Sequence, residues 1–206
     1  MLVFALLGGT AGQDIRIGQV GEQPVFARQV TGSSQAERAE SLRKLFIAPA
    51  LKAYLEPHRK AWQLTEPEIE QLILAHRAAF KCAGLQSAEK QPPGFDRMFA
   101  QMMGGNAKVQ RFIYEHNGRG RVLFQQAGTE AYDATRTLLL RLEREGKFAI
   151  TDPALRAEAF SYWTNDQQSG LMPDPGPDKA FKLGEGLITC AQDAATAGKR
   201  QAETTK

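Results

Sequence analysis

Between residues 33 and 80 the apolar residues recur at the spacing of amphipathic α-helices. One face of the first helix is formed by Leu42, Leu45, Phe46, Pro49 and Ala53. A second stripe beside it is formed by Ile47, Leu51, Tyr54 and Leu55. Two stripes predict a helix that is buried on most sides. Because Pro49 and Pro57 lack a backbone N–H, we expect a kink near Ala48 and an end or second kink around Glu56.

The second helix of this pair has a clear start signal at Thr65. Thr65 supplies an N-cap hydroxyl, Pro67 lies in the first turn, and Glu68 is the N3 carboxylate of a capping box. The apolar face that follows contains Ile69, Leu72, Ile73, His76 and Phe80. The two helices together form a bent helical pair around which we expect the rest of the chain to pack.

The segment before these helices has the period of a strand. A turn at Gly21–Gln23 separates short apolar stretches, with Pro24 at a position that an edge strand tolerates. The apolar residues on its two sides are Ile15, Ile17, Val25 and Phe26. This pattern predicts a short hairpin or an extended arm, after which Ser33 or Ser34 caps the first helix.

A methionine-rich helix is predicted after the Pro-Pro-Gly sequence that ends at Gly94. Its apolar side chains are Phe95, Met98, Phe99 and Met102, and Met103 follows. We expect Gly104 and Gly105 to end this helix and Asn106 to begin another, with Phe112 and Tyr114 within it. Thioether side chains adapt to many partners, but the pattern of this helix favours loose core packing, and partner binding is the alternative.

Two more helices complete the predicted fold. The first has its inward residues between Tyr132 and Leu142, and the second has them between Leu155 and Trp163. The fold class is therefore mostly α: a multi-helix domain over residues 12–168 with a short N-terminal β-hairpin or arm. Residues 169–206 are rich in Pro and Gly at first and then lack periodicity, which predicts a flexible tail.

The first eleven residues predict export. They form an apolar run that closes on small residues, with Gly9 and Ala11 at the positions preceding a signal-peptide cleavage site. No Lys or Arg precedes the run, so a start upstream of Met1 and a buried first strand are both open alternatives. The run is shorter than the ~20 apolar residues of a membrane span. Whether the two cysteines, Cys82 and Cys190, form a disulfide stays open.

Composition removes several classes of function. The 206 residues are 42% apolar and 24% charged, as in ordinary globular proteins, and a net charge of +3 is too small to indicate nucleic acid binding. The three histidines and two cysteines lack the paired spacings of a zinc site, so no metal is expected. Gly118 and Gly120 do not lead into a Gly-Lys-Ser/Thr sequence, so no nucleotide cofactor is expected either.

No catalytic constellation is evident. No serine lies in a Gly-x-Ser-x-Gly elbow, and His58, His76 and His116 each have a structural interpretation. The one enzymatic alternative is a hydrolase or transferase at the loop with Arg119 and Arg121. That loop is followed by Gln125 and Gln126, and cationic and amide groups together can hold an anionic substrate.

The N-terminal arm and helices resemble those of the SurA-type and parvulin-associated periplasmic chaperones. In that family a strand of the form V-x-G-x-x-I/V precedes a helix, a linker and a second helix that opens with Leu-Thr/Val-x-x-Glu-Ile. Val20, Gly21 and Val25 match the strand with irregular spacing, and the run Leu64-Thr65-Glu66-Pro67-Glu68-Ile69 matches the helix start well. The resemblance covers about the first 80 residues.

The resemblance implies a periplasmic module that binds extended apolar polypeptide between helices without ATP. Unfolded outer-membrane proteins are among the clients that it suggests. The segment after Phe80 lacks the strands and the Gly-Gly-x-Leu-Gly-like turn of a parvulin domain, so prolyl isomerase activity is not expected. The groove would be lined by Phe95, Met98, Phe99, Met102 and Met103, with Phe112 and Tyr114 close in sequence. The alternative is a scaffold, or a binder of one dedicated envelope protein.

Overall fold

A computed structural model describes residues 14–82, 92–125 and 128–183, with only the backbone given for residues 80–82. The predicted signal peptide at residues 1–11, the pairing of Cys82 with Cys190, and Gln126 lie outside the described residues. Among the helices of the described ranges, none is long and apolar enough to cross a membrane.

The protein is mostly helical, as predicted, and also contains short antiparallel strands. The described α-helices are α1 (Gln35–Leu42), α2 (Ala48–Leu55), α3 (Arg59–Trp62), α4 (Glu66–Cys82), α5 (Phe95–His116), α6 (Tyr132–Arg144), α7 (Pro153–Thr164) and α8 (Pro177–Ala180). The described strands are β1 (Arg16–Val20), β2 (Gln23–Phe26), β3 (Val122–Gln125), β4 (Gly128–Glu130), β5 (Phe148–Ile150) and β6 (Leu171–Met172). The sequence predicts little strand beyond the N-terminal arm, and the described strands after it, β3 to β6, have only two to four residues each.

The chain folds into two compact units, each assembled from two separate segments. The described part of the first unit comprises residues 14–54 and 139–164, and that of the second comprises residues 55–138 and 165–183. The sequence analysis places residues 12–168 in one domain and does not anticipate this division.

In the first unit a three-stranded sheet packs on the central helix. The strand order is β2-β1-β5, and both pairs are antiparallel. Gly18 of β1 faces Phe46, and a Cβ at Gly18 would lie 2.6 Å from Phe46 Cε1 and would overlap the carbonyl oxygen of Ala149. Glycine at position 18 therefore allows the sheet to approach the helix closely.

The central helix contains a π-helical segment, Arg43–Ile47, between α1 and α2. The N–H of Ala48 donates to the carbonyl oxygen of Arg43, five residues back. The irregularity lies beside the kink predicted near Ala48, where Pro49 cannot donate a hydrogen bond. It ends with two consecutive buried residues, Phe46 and Ile47.

In the second unit α4 and α5 pack against each other, and the strand order of its sheet is β4-β3-β6. The prediction that Gly104 and Gly105 end a helix is wrong, because α5 continues through both. Gly104 is buried, and a Cβ there would overlap Leu72 Cδ1 and lie 3.1 Å from Leu64 Cδ1. Gly104 is therefore a packing position at which α4 and α5 approach each other.

The flexible tail predicted from Ser169 is not what the structure has over residues 169–183. β6 pairs with β3, matching Val122 with Met172, and α8 follows. Phe181, only 4% exposed, packs edge-on against Tyr114 with ring centroids 5.2 Å apart. The proline and glycine content of residues 169–183 predicts a flexible segment. In the structure, strand pairing and the buried ring of Phe181 hold this segment in place.

Candidate functional site

Two methionines lie at the surface of α5, one turn apart. Met98 and Met102 are each 59% exposed, although both are large apolar side chains. Phe95, Phe99 and Met103, from the same predicted groove lining, are half-buried. We call the side of α5 with Phe95, Met98 and Met102 the methionine face. It presents mobile, polarisable apolar groups to solvent.

A polar and aromatic cluster anchors this half of α5 to α4. The Phe99 ring stacks on the buried His76 ring with centroids 4.2 Å apart. His76 Nδ1 lies 3.1 Å from Asp96 Oδ1, and Arg77 Nε donates to Asp96 Oδ2 at 2.7 Å. The hydrogen bond from Arg77 holds the pKa of Asp96 below its ordinary value, against the opposing effect of burial. These contacts hold the part of α5 that carries the methionine face in a fixed position against α4.

The last two predicted site residues, Phe112 and Tyr114, are buried. Phe112 stacks on His116 at a centroid distance of 4.3 Å and lies 5.2 Å from the His58 ring. The Tyr114 hydroxyl donates to Asp174, and burial, together with this bond, raises the pKa of Tyr114 to about 12. Tyr114 is fully buried and does not share the methionine face, so a single surface does not contain all seven predicted residues.

Sequence reasoning missed a partly open cavity in the second unit. Its volume is about 870 Å³. It is lined by Ala61, Glu68, Gln71, Lys108, Arg111, Phe112, Glu115, His116, Asp178, Phe181, Lys182 and Leu183. Phe112 is the one predicted site residue that it contains. No sequence signal pointed to the cavity, because its walls come from α3, α4, α5, and α8 with the three residues after it.

Ion pairs organise the wall of this cavity. Lys108 Nζ donates to both carboxylate oxygens of Glu68, at 2.9 and 3.0 Å. Arg111 donates to Glu115 at 3.0 Å and to Asp178 at 2.8 Å. Burial raises the pKa of Glu68, but hydrogen bonds from Thr65 and Lys108 outweigh it and leave the pKa below its ordinary value. Both signs of charge are therefore present side by side.

The loop with Arg119 and Arg121, predicted as an alternative site for an anionic substrate, makes ion pairs within the protein. Arg121 Nε and Nη2 each donate to Asp133 at 2.9 Å, and Nη1 lies 2.8 Å from Asp166. These carboxylates, Asp133 foremost, raise the pKa of Arg121. Gln125 donates to Glu130 at 2.7 Å, and Arg119 adopts a left-handed backbone with φ of 55°. The Arg121 guanidinium thus ties the start of β3 to α6 and to the loop after α7.

Within the described ranges no group of three or more His, Cys, Asp or Glu residues is arranged to hold a metal ion. Comparisons with protein-family models, with curated proteins and with solved structures give no match for this chain. Its class is therefore stated from its own geometry: a mostly helical protein with an exposed methionine face and a cavity of mixed charge.

Proposed function

We propose that this protein is an ATP-independent, chaperone-like binder of extended apolar polypeptide in the periplasm, without prolyl isomerase activity. The observation that carries the proposal is the exposure of Met98 and Met102 on α5. Exposed apolar area of this kind is unfavourable in water and gains hydrophobic free energy when a polypeptide covers it. Two sequence-based arguments support the periplasm as the compartment: the predicted export, and the resemblance of the N-terminal helices to periplasmic chaperones.

The chemistry of the face fits clients of varied sequence. Methionine has three rotatable bonds and a polarisable sulfur, so the same two side chains can pack on different apolar residues. The half-buried Phe95 and Phe99 rings, 6.1 Å apart, extend the apolar surface toward α4. A binder of this type needs no nucleotide, since burial of apolar area supplies the binding free energy.

The test is an aggregation assay with an unfolded outer-membrane protein as client and no nucleotide. The wild-type protein should suppress aggregation, and the double variant Met98→Gln/Met102→Gln should lose most of that protection. Circular dichroism should show the same helicity and melting temperature for both, because the replaced side chains are exposed. Phe99 is left intact, since its stacking on His76 is part of the fold.

The matched control is Leu74→Gln on α4. Leu74 is 66% exposed and lies on the side of α4 away from the buried Leu72 and His76, so it equals the methionines in exposure but not in position. We expect Leu74→Gln to protect the client as well as wild type does. Equal loss from both variants would mean that general surface hydrophobicity, and not the methionine face, protects the client.

A wild-type protein that protects no client would favour the dedicated-partner alternative. A pull-down from an envelope extract separates the two outcomes: a chaperone retains many unfolded polypeptides, and a dedicated binder retains one partner in stoichiometric amount. The hydrolase or transferase alternative gains nothing from the arginine loop, because the Arg121 guanidinium already binds Asp133 and Asp166.

A further inference from the structure

We propose that the client binds as an added β-strand along the open edge of β4, with every second side chain packed on Met102 and Met98. This proposal rests on the proposed function, because it uses the methionine face. It adds the conformation and the sequence pattern of the bound segment: an extended segment with an apolar residue at every second position.

One row of side chains along α5 connects the methionine face to the sheet. Its members follow one another at intervals of four residues, so they lie on one ridge of the helix. We call this row the α5 ridge: Met98, Met102, Asn106, Gln110 and Tyr114. At its C-terminal end the Tyr114 hydroxyl donates to Asp174, two residues after β6. Gln110 Oε1 accepts a hydrogen bond at 2.9 Å from the N–H of Ala131, directly after β4.

The described strands cover only the C-terminal part of the α5 ridge. A Cβ at Gly128, the first residue of β4, would lie 3.6 Å from Asn106 Nδ2, so β4 begins beside Asn106. The next two ridge positions toward the start of α5 are Met102 and Met98, and both side chains are mostly exposed. The row that packs against β4 therefore continues as an apolar surface that is open to solvent.

β4 is an edge strand, with β3 as its one neighbour among the described strands. The N–H of Phe124 in β3 donates to the carbonyl oxygen of Gly170, on the β6 side, at 3.0 Å. In an antiparallel ladder the N–H and C=O of one residue point to the same side, and directly opposite residues alternate between bonded and non-bonded pairs. Thr129 lies opposite Phe124, so its N–H and C=O point away from β3. The open edge of β4 therefore offers one donor and one acceptor to an added strand.

The spacing of the α5 ridge matches that of an extended chain. Four residues of an α-helix rise ~6 Å, and two residues of a β-strand rise ~6.6 Å. A strand that continues from the edge of β4 along α5 therefore places every second side chain over successive ridge positions, first Met102 and then Met98. A helical segment would present apolar side chains at intervals of three and four residues and could not pair with the backbone of Thr129.

The experiment measures the binding of fluorescein-labelled decapeptides to the full-length protein by fluorescence anisotropy. The first peptide alternates Val with Thr, and the second has the same composition with its Val residues at helical spacing. Two further peptides keep the alternating sequence but are N-methylated, one at its Val residues and the other at its Thr residues. Successive N–H groups of a strand point to opposite edges, so only one of these two peptides loses the donors that face β4.

The protein variants are Thr129→Pro, Met98→Gln/Met102→Gln and Leu74→Gln. Proline at position 129 removes the N–H that points away from β3, and edge strands tolerate proline where the N–H faces solvent. Leu74 is exposed on α4 and lies outside the α5 ridge, so its variant is the control. Circular dichroism checks that each variant is folded. The N-methylated peptides test the strand pairing on the wild-type protein alone.

We expect wild type and Leu74→Gln to bind the alternating peptide equally. Thr129→Pro and Met98→Gln/Met102→Gln should each bind it at least about tenfold more weakly, because the first loses backbone hydrogen bonds and the second loses apolar contact. For wild type, the helically spaced peptide and one of the two N-methylated peptides should bind about tenfold more weakly than the alternating peptide. The other N-methylated peptide should bind like the alternating peptide.

The outcomes separate this proposal from the proposed function. If the two N-methylated peptides bind wild type equally, the client does not pair with β4, although the methionine face still stands if Met98→Gln/Met102→Gln weakens binding. Tighter binding of the helically spaced peptide would mean that the occupant is a helix. A dimer in analytical ultracentrifugation that Thr129→Pro converts to monomer would mean that a second copy occupies the edge. If wild type binds no peptide and protects no client, both proposals fail together.

Discussion

Gly104 and Gly105 are neighbours in α5, but packing requires only the first. A Cβ at Gly104 would overlap Leu72 Cδ1, whereas a Cβ at Gly105 would meet nothing within 4 Å. We expect Gly104→Ala to lower the free energy of unfolding by ~1–3 kcal/mol, because overpacking a close helix contact forces side chains to move.

Gly105→Ala is the matched control for that substitution. Alanine is favoured over glycine by ~0.5–1 kcal/mol inside a helix, so this variant should be as stable as wild type or more stable. Urea unfolding followed by circular dichroism measures both. Equal destabilisation by the two substitutions would mean that α5 is interrupted at the glycine pair, as the sequence alone predicted.

Asp96 gives the stability of the second unit a defined pH dependence. Its pKa lies below the ordinary value because Arg77, and then His76, bind its charged form. A lowered folded-state pKa contributes stability that is present above the unfolded-state pKa of ~3.9 and is lost as the pH falls through the folded-state pKa. Asp96→Asn should therefore be less stable than wild type at pH 7.

The same reasoning predicts that the stability difference between Asp96→Asn and wild type starts to narrow as the pH falls below ~4, where the carboxyl of the unfolded state is protonated first. The difference disappears only below the lowered folded-state pKa of Asp96. Urea unfolding of the two proteins at pH 7 and at pH 3 measures this directly. A stability difference of the same size at both pH values would show that the carboxylate charge is not what Arg77 and His76 stabilise.

Among the elements, the central helix has its largest fully buried side chain, Phe46, in the π-helical segment. Phe46 is fully buried at the end of that segment, whereas the neighbouring Leu45 is half-buried. We expect Phe46→Ala to cost ~3–5 kcal/mol of unfolding free energy and Leu45→Ala to cost less, because the Phe46 cavity would be fully enclosed. Chemical denaturation of the two variants checks this ranking.

The start of α4 is a second element whose worth can be measured. Glu68 accepts hydrogen bonds from the backbone N–H of Thr65 at 2.8 Å and from its hydroxyl at 3.0 Å. Thr65→Ala removes the hydroxyl that donates to the Glu68 carboxylate and should cost ~1 kcal/mol, the usual net value for a hydrogen bond. A cost of Phe46→Ala as small as that of Thr65→Ala would contradict the assignment of Phe46 to the core.

Local signals in the sequence predict local structure. The sequence predicts a cap at Ser33 or Ser34 and another at Thr65, and Ser34 and Thr65 directly precede α1 and α4. Capping involves side chains within four residues of the cap, so its signal is local. β5 has three residues and pairs with β1, more than a hundred positions earlier, so its pattern contains no trace of its partner. The prediction that Gly104 ends a helix is wrong for the same reason, since the contact that requires glycine there is with Leu72, which is distant in sequence.

The two parts of the candidate site, the methionine face and the cavity, also differ in how far the sequence predicts them. The methionine face is a stripe on one helix, so the spacing of Met98 and Met102 predicts that the two side chains share a face. Their exposure does not follow from that spacing, because it depends on the elements that pack around the helix. The cavity needs α3, α4, α5 and the residues around Phe181 at once, and the last of these lie in a segment whose proline and glycine content predicted a tail. Sequence periodicity identifies one face of one element, whereas a cavity exists only after several elements pack.

For the whole molecule, the structure changes the expected effect of truncation. A chain that ends at residue 168 lacks β6, α8 and Phe181, whereas a chain that ends at Leu183 keeps all three. We expect the shorter chain to be less stable by several kcal/mol, because loss of a buried aromatic ring alone costs ~3–5 kcal/mol. Thermal unfolding of the two chains, compared with each other, measures the contribution of residues 169–183.

The pairing of β1 with β5 has a consequence for how the protein is made. Residue 18 leaves the ribosome roughly 7 to 26 s before residue 150, at synthesis rates of ~5–20 residues per second. Folding of the second unit is also delayed, since β6 and Phe181 are synthesised near the end of the described chain. Neither unit can close until most of the chain has been synthesised. A nascent chain that stays open for this long is compatible with the export that we propose, since passage through a membrane channel needs an unfolded chain, and it exposes unpaired strand edges in the meantime.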